Sequence, residues 1–197
     1  MKKLLVAILM LVICASYASA GDPPLPKPEA LSEETIYLTQ KLSTNYDTLL
    51  IKEFSTDGVE LSNANDEEKA KIQQMIPLLK SNITLTLEGE LKSKKIFNTI
   101  EKNGTATGKV VILEGGFSEF NAGSRALKFF VGFGAGKAYI KFKGRLVDGT
   151  SGKELASFED RETGYRGSMS LESYEDLFPH QAKSIGENLS RFLEKLY

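Results

Sequence analysis

The segment from Lys137 to Val147 constrains the fold most, because its side chains alternate between apolar and basic residues. Such alternation places every second side chain on the same face of a β-strand. The core-facing row is predicted to be Ala138, Ile140, Phe142 and Leu146, and the solvent-facing row Lys137, Lys141, Lys143 and Arg145. The turn residues from Asp148 to Gly152 then predict a hairpin with a second strand over Lys153 to Asp160.

Two long segments outside the hairpin have helical spacing. Apolar residues three or four positions apart predict one helix from about 65 to 92 and another from about Leu171 to the end of the chain. Pro77 is expected to kink or break the first helix, because proline removes a backbone donor. The other predicted strands are Asp47 to Phe54, Lys95 to Ile100, and Lys109 to Phe120, whose first half is apolar at successive positions.

This order of segments predicts the fold class. Strands interspersed with two helices indicate an α/β single-domain sandwich, with a mixed four- to five-stranded sheet and two long helices packed on it. The predicted organisation is a signal peptide over 1–20, a proline-rich linker over 21–34 and a single α/β domain over 35–197. Four of the six prolines lie between Pro23 and Pro28, which favours either a loose start or a stiff spacer.

The amino terminus is typical of a secretory signal. Met-Lys-Lys precedes the apolar run Leu4 to Cys14, and Ala18-Ser19-Ala20 predicts cleavage between Ala20 and Gly21. The apolar run is shorter than the roughly 20 residues that a membrane-spanning helix needs. The chain is therefore expected to be periplasmic or secreted. Lipoprotein anchoring at Cys14 is the rival interpretation, and it is disfavoured by the bulky Ile13 in front of the cysteine.

Charge and cysteine content exclude several classes of function. Removing Lys2 and Lys3 from the 25 basic residues leaves 23 against 26 acidic ones, so the mature chain has no global attraction to nucleic acid. The one cysteine lies in the signal, which leaves no disulfide, thiol nucleophile or cysteine metal site. No cofactor is expected.

The glycine-rich stretch GFGAGK before the basic strand resembles a phosphate-binding loop only superficially. When the stretch is aligned on Gly136-Lys137, Val131 stands where the first glycine of such a loop belongs, and Ala138 where the magnesium-binding hydroxyl belongs. The glycines also lead into a strand rather than a helix, so no helix dipole would receive a phosphate. Gly132, Gly134 and Gly136 are instead predicted to shape the backbone of the sheet.

An apolar cluster precedes these glycines and has two interpretations. Leu127, Phe129, Phe130 and Phe133 are either buried in the core or exposed to a membrane surface or a protein partner. The basic row on the next strand is either paired with Glu154, Glu159 and Asp160 or free to bind. The candidate partner surface therefore comprises Leu127, Phe129, Phe130, Phe133, Lys137, Lys141, Lys143 and Arg145.

The sequence holds no recognisable catalytic constellation. His180 is the only histidine, and the paired carboxylates at Asp66-Glu67 and Glu159-Asp160 lie in polar runs that are typical of solvated surface. The chain is therefore predicted not to be an enzyme.

A family resemblance rests on Ser124 to Leu127, on Gly132 to Lys137 and on the turn from Asp148 to Gly152. These motifs resemble the bacterial envelope family catalogued as domain of unknown function DUF4410, and the layout is distantly similar to periplasmic domains of the curli secretion channel and of penicillin-binding-protein activator lipoproteins. The resemblance implies an exported, often lipid-anchored domain with no assigned reaction. The chain is predicted to be a non-catalytic binding or assembly module for a protein or cell-wall partner. A hydrolase, or a carrier of a small apolar ligand, is the alternative.

Overall fold

The computed structural model describes residues 22–105, 107–123, 136–163 and 173–197 of the chain. In chain order the elements are β1 (Glu33–Ile36), α1 (Leu42–Asn45), β2 (Thr48–Ile51), β3 (Glu60–Ser62), α2 (Asp66–Ser93), β4 (Thr99–Lys102), β5 (Val110–Asn121), β6 (Tyr139–Asp148), β7 (Glu154–Glu162) and α3 (Tyr174–Leu196). None of the described helices is long and apolar enough to cross a membrane.

The described strands form one mixed sheet in the order β1-β7-β6-β5-β2-β4, and β3 pairs with β5 beyond the end of β2. β2 runs parallel to both β4 and β5, whereas β5, β6, β7 and β1 form an antiparallel array. The long helix α2 connects β3 to β4, which is the kind of crossover that a parallel pair requires. Both long helices contribute to a single hydrophobic core with the strands.

Helix α2 begins at a capping box. The Asn65 side chain accepts the Glu68 amide at 2.9 Å, while the Glu68 carboxylate accepts the Asn65 amide at 2.9 Å. The helix then continues without a break to Ser93, so the break considered near Pro77 is absent. Pro77 and Gln73, the residue whose carbonyl loses its helical partner, are both exposed, and water can satisfy that carbonyl.

Helix α3 packs closely on α2 at Gly186. A Cβ at this position would lie 2.7 Å from the Ile83 carbonyl oxygen and 2.9 Å from Thr86 Cβ, so the two helices meet there through backbone. Aromatic rings then connect the helix to the sheet, with Phe192 5.4 Å from Phe158 and Phe178 5.5 Å from Phe120 between ring centroids.

The proline-rich segment is held on the domain. The Leu25 amide donates to the Leu38 carbonyl at 2.6 Å, and the buried Glu34 carboxylate accepts the amides of residues 29–31 at 2.8–2.9 Å. Strand β1 begins at Glu33, so the linker predicted over 21–34 overlaps this strand by two residues.

The α/β class and the two long helices are confirmed, but the sheet has seven strands among the described residues instead of the four to five predicted. The sequence of β1, EETI, and that of β3, ELS, are too short and polar to show a periodic pattern. The strand predicted over Lys95 to Ile100 begins later, at Thr99, because Lys95 and Phe97 have φ values of 54° and 63° in the left-handed region.

Candidate partner-binding face

The face of the sheet opposite the helices, which we call the open face, carries polar side chains in rows across four strands. Strand register places Glu114 of β5, Arg145 of β6, Ser157 of β7 and Thr35 of β1 in one row. The next row is Gly116, Lys143, Glu159 and Glu33. Directly opposed residues in antiparallel strands share a face, so these side chains point to the same side of the sheet.

A hollow of about 520 Å³ lies on this face, between β1 and the turn at Ser55 and Asp57. We call it the open-face hollow. Its charged lining residues are Glu33, Asp57, Glu114, Lys143, Arg145, Glu154 and Glu159. Its hydroxyl-bearing lining residues are Thr35, Ser55 and Ser157. The hollow therefore presents charged and hydroxyl groups to a ligand.

Two glycines allow core side chains to pack directly against the strand backbone beneath the hollow. Gly115 and Gly144 are opposed in register, and their missing side chains would point into the core. A Cβ on Gly115 would lie 2.7 Å from Phe54 Cζ, and a Cβ on Gly144 would lie 2.6 Å from Phe158 Cζ. The two glycines thus let phenylalanine rings pack directly under the backbone that forms the floor.

One wall of the hollow is a segment of chain that follows β2. The Ser55 amide donates to the Gly115 carbonyl at 2.9 Å, and the Phe117 amide donates to the Ser55 carbonyl at 2.9 Å. A Cβ on Gly116 would lie 3.2 Å from that same Ser55 carbonyl oxygen, so glycine suits the close approach. The Ser55 hydroxyl in turn donates to Asp57 at 2.9 Å.

The residues of the basic row differ in their ion-pair partners. Arg145 Nε and Nη2 both lie 2.9 Å from Glu114 Oε2, and Arg145 Nη1 lies 3.7 Å from Glu154. Lys141 lies 3.5 Å from Glu119 Oε2. The exposed Lys143 makes no ion pair with the described residues. Arg145 is thus neutralised, while Lys143 is available to a ligand.

Only part of the predicted pairing of the basic row is present. Of the acidic residues considered as partners of the row, Glu154 does pair with it, through Arg145. The predicted pairing with Asp160 is wrong, because successive residues of β7 face opposite sides and Asp160 points toward the core side, where it accepts hydrogen bonds from the amide and hydroxyl of Ser32. Glu159 does share the open face, directly opposite Lys143 in register.

A hydrogen-bonded cluster lies at the end of the open face where β6 begins. Glu119 Oε1 accepts hydrogen bonds from Ser62 at 2.7 Å, Tyr139 at 2.8 Å and Asn121 at 3.2 Å. Partial burial alone would raise the pKa of Glu119, but these three donors and the Lys141 charge outweigh it and lower the pKa. Burial and the neighbouring carboxylate raise the pKa of the Tyr139 phenol. The cluster therefore keeps Glu119 ionised.

The turn between β6 and β7 is held by a second ionised carboxylate. Asp148 accepts hydrogen bonds from the Tyr46 hydroxyl at 2.6 Å and from the amides of Ser151 at 2.6 Å and Thr150 at 3.0 Å. The Tyr46 hydroxyl and the turn amides lower the pKa of Asp148 to about 2. Burial and this hydrogen bond raise the pKa of the Tyr46 phenol. We regard this carboxylate as part of the turn structure.

Half of the predicted partner surface can be located. Lys141, Lys143 and Arg145 lie on β6 with their side chains on the open face, and Lys137 is half-buried just before the strand. Leu127, Phe129, Phe130 and Phe133 lie outside the described residues, as do Gly132 and Gly134.

Gly136 lies at the end of the glycine-rich stretch, outside the strand. It has φ 73° in a turn, and its carbonyl oxygen would lie 2.5 Å from a Cβ placed on Gly123, which has φ 78°. Two glycines therefore let the chain cross itself closely between β5 and β6.

The residue types of a hydrolase occur near the hollow, where one serine hydroxyl meets a carboxylate. The Ser55 hydroxyl donates to Asp57 within one exposed turn, and Lys143 makes no hydrogen bond to a serine of the described part of the chain. His180 is exposed on α3, in the helical layer. Among the described residues, no three metal-ligating side chains are close enough to hold an ion.

Sequence reasoning missed the residues that surround the basic row. Glu33 and Thr35 come from β1, and Ser55 and Asp57 from a turn, neither of which shows a periodic signal. The available signal was the Gly115-Gly116 pair in the middle of an otherwise apolar strand, because glycine within a strand often marks close approach of another backbone.

The fold and this face define an α/β sandwich with one helix-covered and one polar open face. The chain belongs to the family described as domain of unknown function DUF4410, whose model matches residues 49–168. The match includes β5, β6 and β7 and excludes β1 and α3. No curated protein sequence matches the chain.

Solved structures give distant likenesses. The PelC dodecamer of Paraburkholderia phytofirmans is 14% identical over 81% of this chain and 94% of its own, with a TM-score of 0.45. A Xanthomonas campestris protein of family DUF330 is 12% identical over 76% of this chain and 83% of its own, with a TM-score of 0.47. A Helicobacter pylori homologue of neuraminyllactose-binding hemagglutinin is 10% identical over 78% and 84%, with a TM-score of 0.40.

Proposed function

We propose that this protein is a non-catalytic binding or assembly module of the bacterial envelope, which contacts a protein or cell-wall partner through the open face. One observation supports this proposal above the others: a four-stranded face is left exposed and carries two rows of polar residues around a hollow. On its other face the sheet packs its apolar side chains against the helices. Exposed polar side chains arranged on rigid strands are well suited to specific recognition.

The arrangement of charges favours binding over catalysis. Catalytic carboxylates and lysines need a hydrogen-bonded nucleophile or substrate position within about 3 Å. In the hollow, Arg145 and Glu114 satisfy each other, and Ser55 is bonded to Asp57 in an exposed turn. Lys143 and Glu159 are exposed to solvent and available to a partner.

The proposed location is the periplasm or the exterior, after signal cleavage between Ala20 and Gly21. The support is the sequence of residues 1–20, which precede the described part of the chain. Amino-terminal sequencing of the exported protein tests this location. A chain that begins at Gly21 supports soluble export, whereas an acylated chain that begins at Cys14 would replace it with membrane anchoring.

The candidate partner surface keeps its two parts in this proposal. Lys141, Lys143 and Arg145 supply the charged part on β6. The apolar part, with Phe129 and Phe130 among its residues, stays a prediction from the sequence. The segment that contains it connects β5 to β6, and those two strands provide the floor of the hollow.

A bulky substitution inside the hollow tests the proposal. Ser157→Arg places a long side chain in the middle of the hollow, and Gln74→Arg places the same side chain on the exposed surface of α2 as a matched control. Both proteins are expressed in the native organism, cross-linked in envelope fractions and recovered. We expect Ser157→Arg alone to lose the cross-linked partner. Equal recovery from both folded variants would refute binding at this face.

The hydrolase alternative predicts a different outcome. If Ser55 were a nucleophile, Ser55→Ala would abolish turnover of a chromogenic ester or amide while leaving cross-linking intact. We expect the Ser55→Ala variant and the unmodified protein to turn over these substrates equally, and we expect cross-linking to persist in the variant. Loss of a measurable activity in this variant would replace the binding proposal.

A further inference from the structure

We infer that the open-face hollow receives a basic segment of a partner protein, with a lysine or arginine side chain of that segment between Glu33 and Glu159. This inference rests on the proposed binding function and adds the chemistry of the partner. It follows from the balance of charge around the hollow and from the register of the strands below it.

The charges that line the hollow are unbalanced. Five of the lining residues are carboxylates, Glu33, Asp57, Glu114, Glu154 and Glu159, and two are cations, Lys143 and Arg145. Arg145 is already shared by Glu114 and Glu154. Among the described lining residues, Lys143 is then the one cation left to offset the other three carboxylates, so a positively charged ligand is complementary to the hollow.

The register places two of these carboxylates side by side. Glu159 of β7 is directly opposite Glu33 of β1, and both are exposed on the open face. Like charges directly opposite each other in adjacent strands destabilise the pair. Lys143 is opposite Glu159 on its other side and is two strands away from Glu33. A cation bound between the two glutamates would relieve their repulsion.

The dimensions favour a peptide side chain over a metal ion. Gly116 and Glu33 are three strand spacings apart, which is about 14 Å. Within the described part of the chain, no three acidic or histidine side chains converge tightly enough to hold a metal. A volume of about 520 Å³ can accommodate several side chains, and long lysine or arginine stems can cross the floor of glycine and hydroxyl residues.

A titration of the full mature chain with tri-lysine peptide tests this inference. In two-dimensional ¹⁵N spectra, we expect saturable shifts at the amides of Lys143, Ser157 and Glu159, weakening as sodium chloride is raised. Tri-glutamate of the same length is the control peptide. Shifts that are dispersed over the surface, or equal with tri-glutamate, would overturn the inference.

A pair of charge-neutralising variants provides the matched comparison. Glu33→Gln with Glu159→Gln removes the opposed carboxylates, while Glu101→Gln with Glu187→Gln removes two exposed carboxylates elsewhere. We expect the first variant to bind tri-lysine roughly three- to tenfold more weakly and the second to bind unchanged. Equal affinities for tri-lysine would overturn the inference.

The free protein gives an independent readout. Relief of the Glu33–Glu159 repulsion should raise the unfolding temperature of Glu33→Gln with Glu159→Gln by about 1–3 °C relative to the control variant. A lowered unfolding temperature would contradict the repulsion. If tri-lysine fails to bind while Ser157→Arg still abolishes partner cross-linking, the basic-partner inference fails and the proposed function stands.

Discussion

The two faces of the sheet differ in burial and in the interactions that their side chains make. On the covered face, Phe142, Leu146 and Phe120 are fully buried and belong to one core with α2 and α3. On the open face, Lys143 and Glu159 are exposed and their partners depend on which strands are neighbours. The covered face therefore depends on hydrophobic burial and tolerates few changes in volume, whereas the open face can change its charges with little loss of stability.

The largest expected effect is on the covered face. Phe192→Ala removes a fully buried ring that packs against Phe158, so we expect a loss of about 3–5 kcal/mol in the free energy of unfolding. Leu85→Ala is the control, because the Leu85 side chain is 58% exposed and should change that free energy by less than about 0.5 kcal/mol. Urea unfolding measures both. Equal losses would contradict the assignment of the core.

The second prediction compares one substitution at two glycines. Gly144→Ala would place a methyl group 2.6 Å from Phe158 Cζ and against the Glu114 carbonyl, so we expect a loss of about 1–3 kcal/mol. Gly89→Ala places the same methyl group on an exposed position of α2 with no atom within 4 Å, and should add about 0.5–1 kcal/mol. Urea unfolding measures the change in the free energy of unfolding for both variants. A loss for Gly144→Ala together with a gain for Gly89→Ala would confirm that the floor of the hollow is closely packed.

The third prediction concerns the pH dependence of the β6–β7 turn. The pKa of Asp148 is lowered from 3.8 to about 2, so its hydrogen bonds stabilise the fold above about pH 4, and this contribution is lost as the pH falls toward 2. Tyr46→Phe removes one donor and should cost about 0.5–1.5 kcal/mol at pH 7.

The difference between Tyr46→Phe and the unmodified protein should therefore narrow between pH 4 and pH 2. Unfolding of both proteins, followed by circular dichroism across this pH range, measures the difference in their free energies of unfolding. A difference that stays constant with pH would show that Tyr46 acts through packing rather than through the Asp148 carboxylate.

The sequence predicted the covered face better than the open face, for a physical reason. Burial imposes a period on each strand or helix by itself, so the rows through Phe142 on β6 and Leu189 on α3 could be recognised locally. The open face is defined by register between strands distant in sequence. Nothing in EETI predicts that Glu33 lies opposite Glu159.

The irregularity in β5 shows the same limit. The register with β6 shifts between Phe117 and Glu119, so both Phe117 and Phe120 face the core although they are three residues apart. A strict alternation would have placed them on opposite faces. The shift also brings Glu119 onto the open face, opposite Lys141.

The smallest expected effect on stability is at the hollow. Lys143→Glu changes an exposed residue without an ion-pair partner among the described residues, so the free energy of unfolding should change by less than about 0.5 kcal/mol. Binding of tri-lysine should become tighter, because the hollow gains a carboxylate and loses a cation. Calorimetric titration measures this affinity. Weaker binding would contradict the charge balance argued for the hollow.

The most direct test of the account is photo-cross-linking from the open face in living cells. A photoreactive amino acid replaces Lys143 on the open face in one strain and Gln74 on the outer surface of α2 in another. We expect a discrete cross-linked product from position 143, abolished by Ser157→Arg, and none from position 74. Products from position 74 alone, or from neither position, would contradict a partner site on the open face.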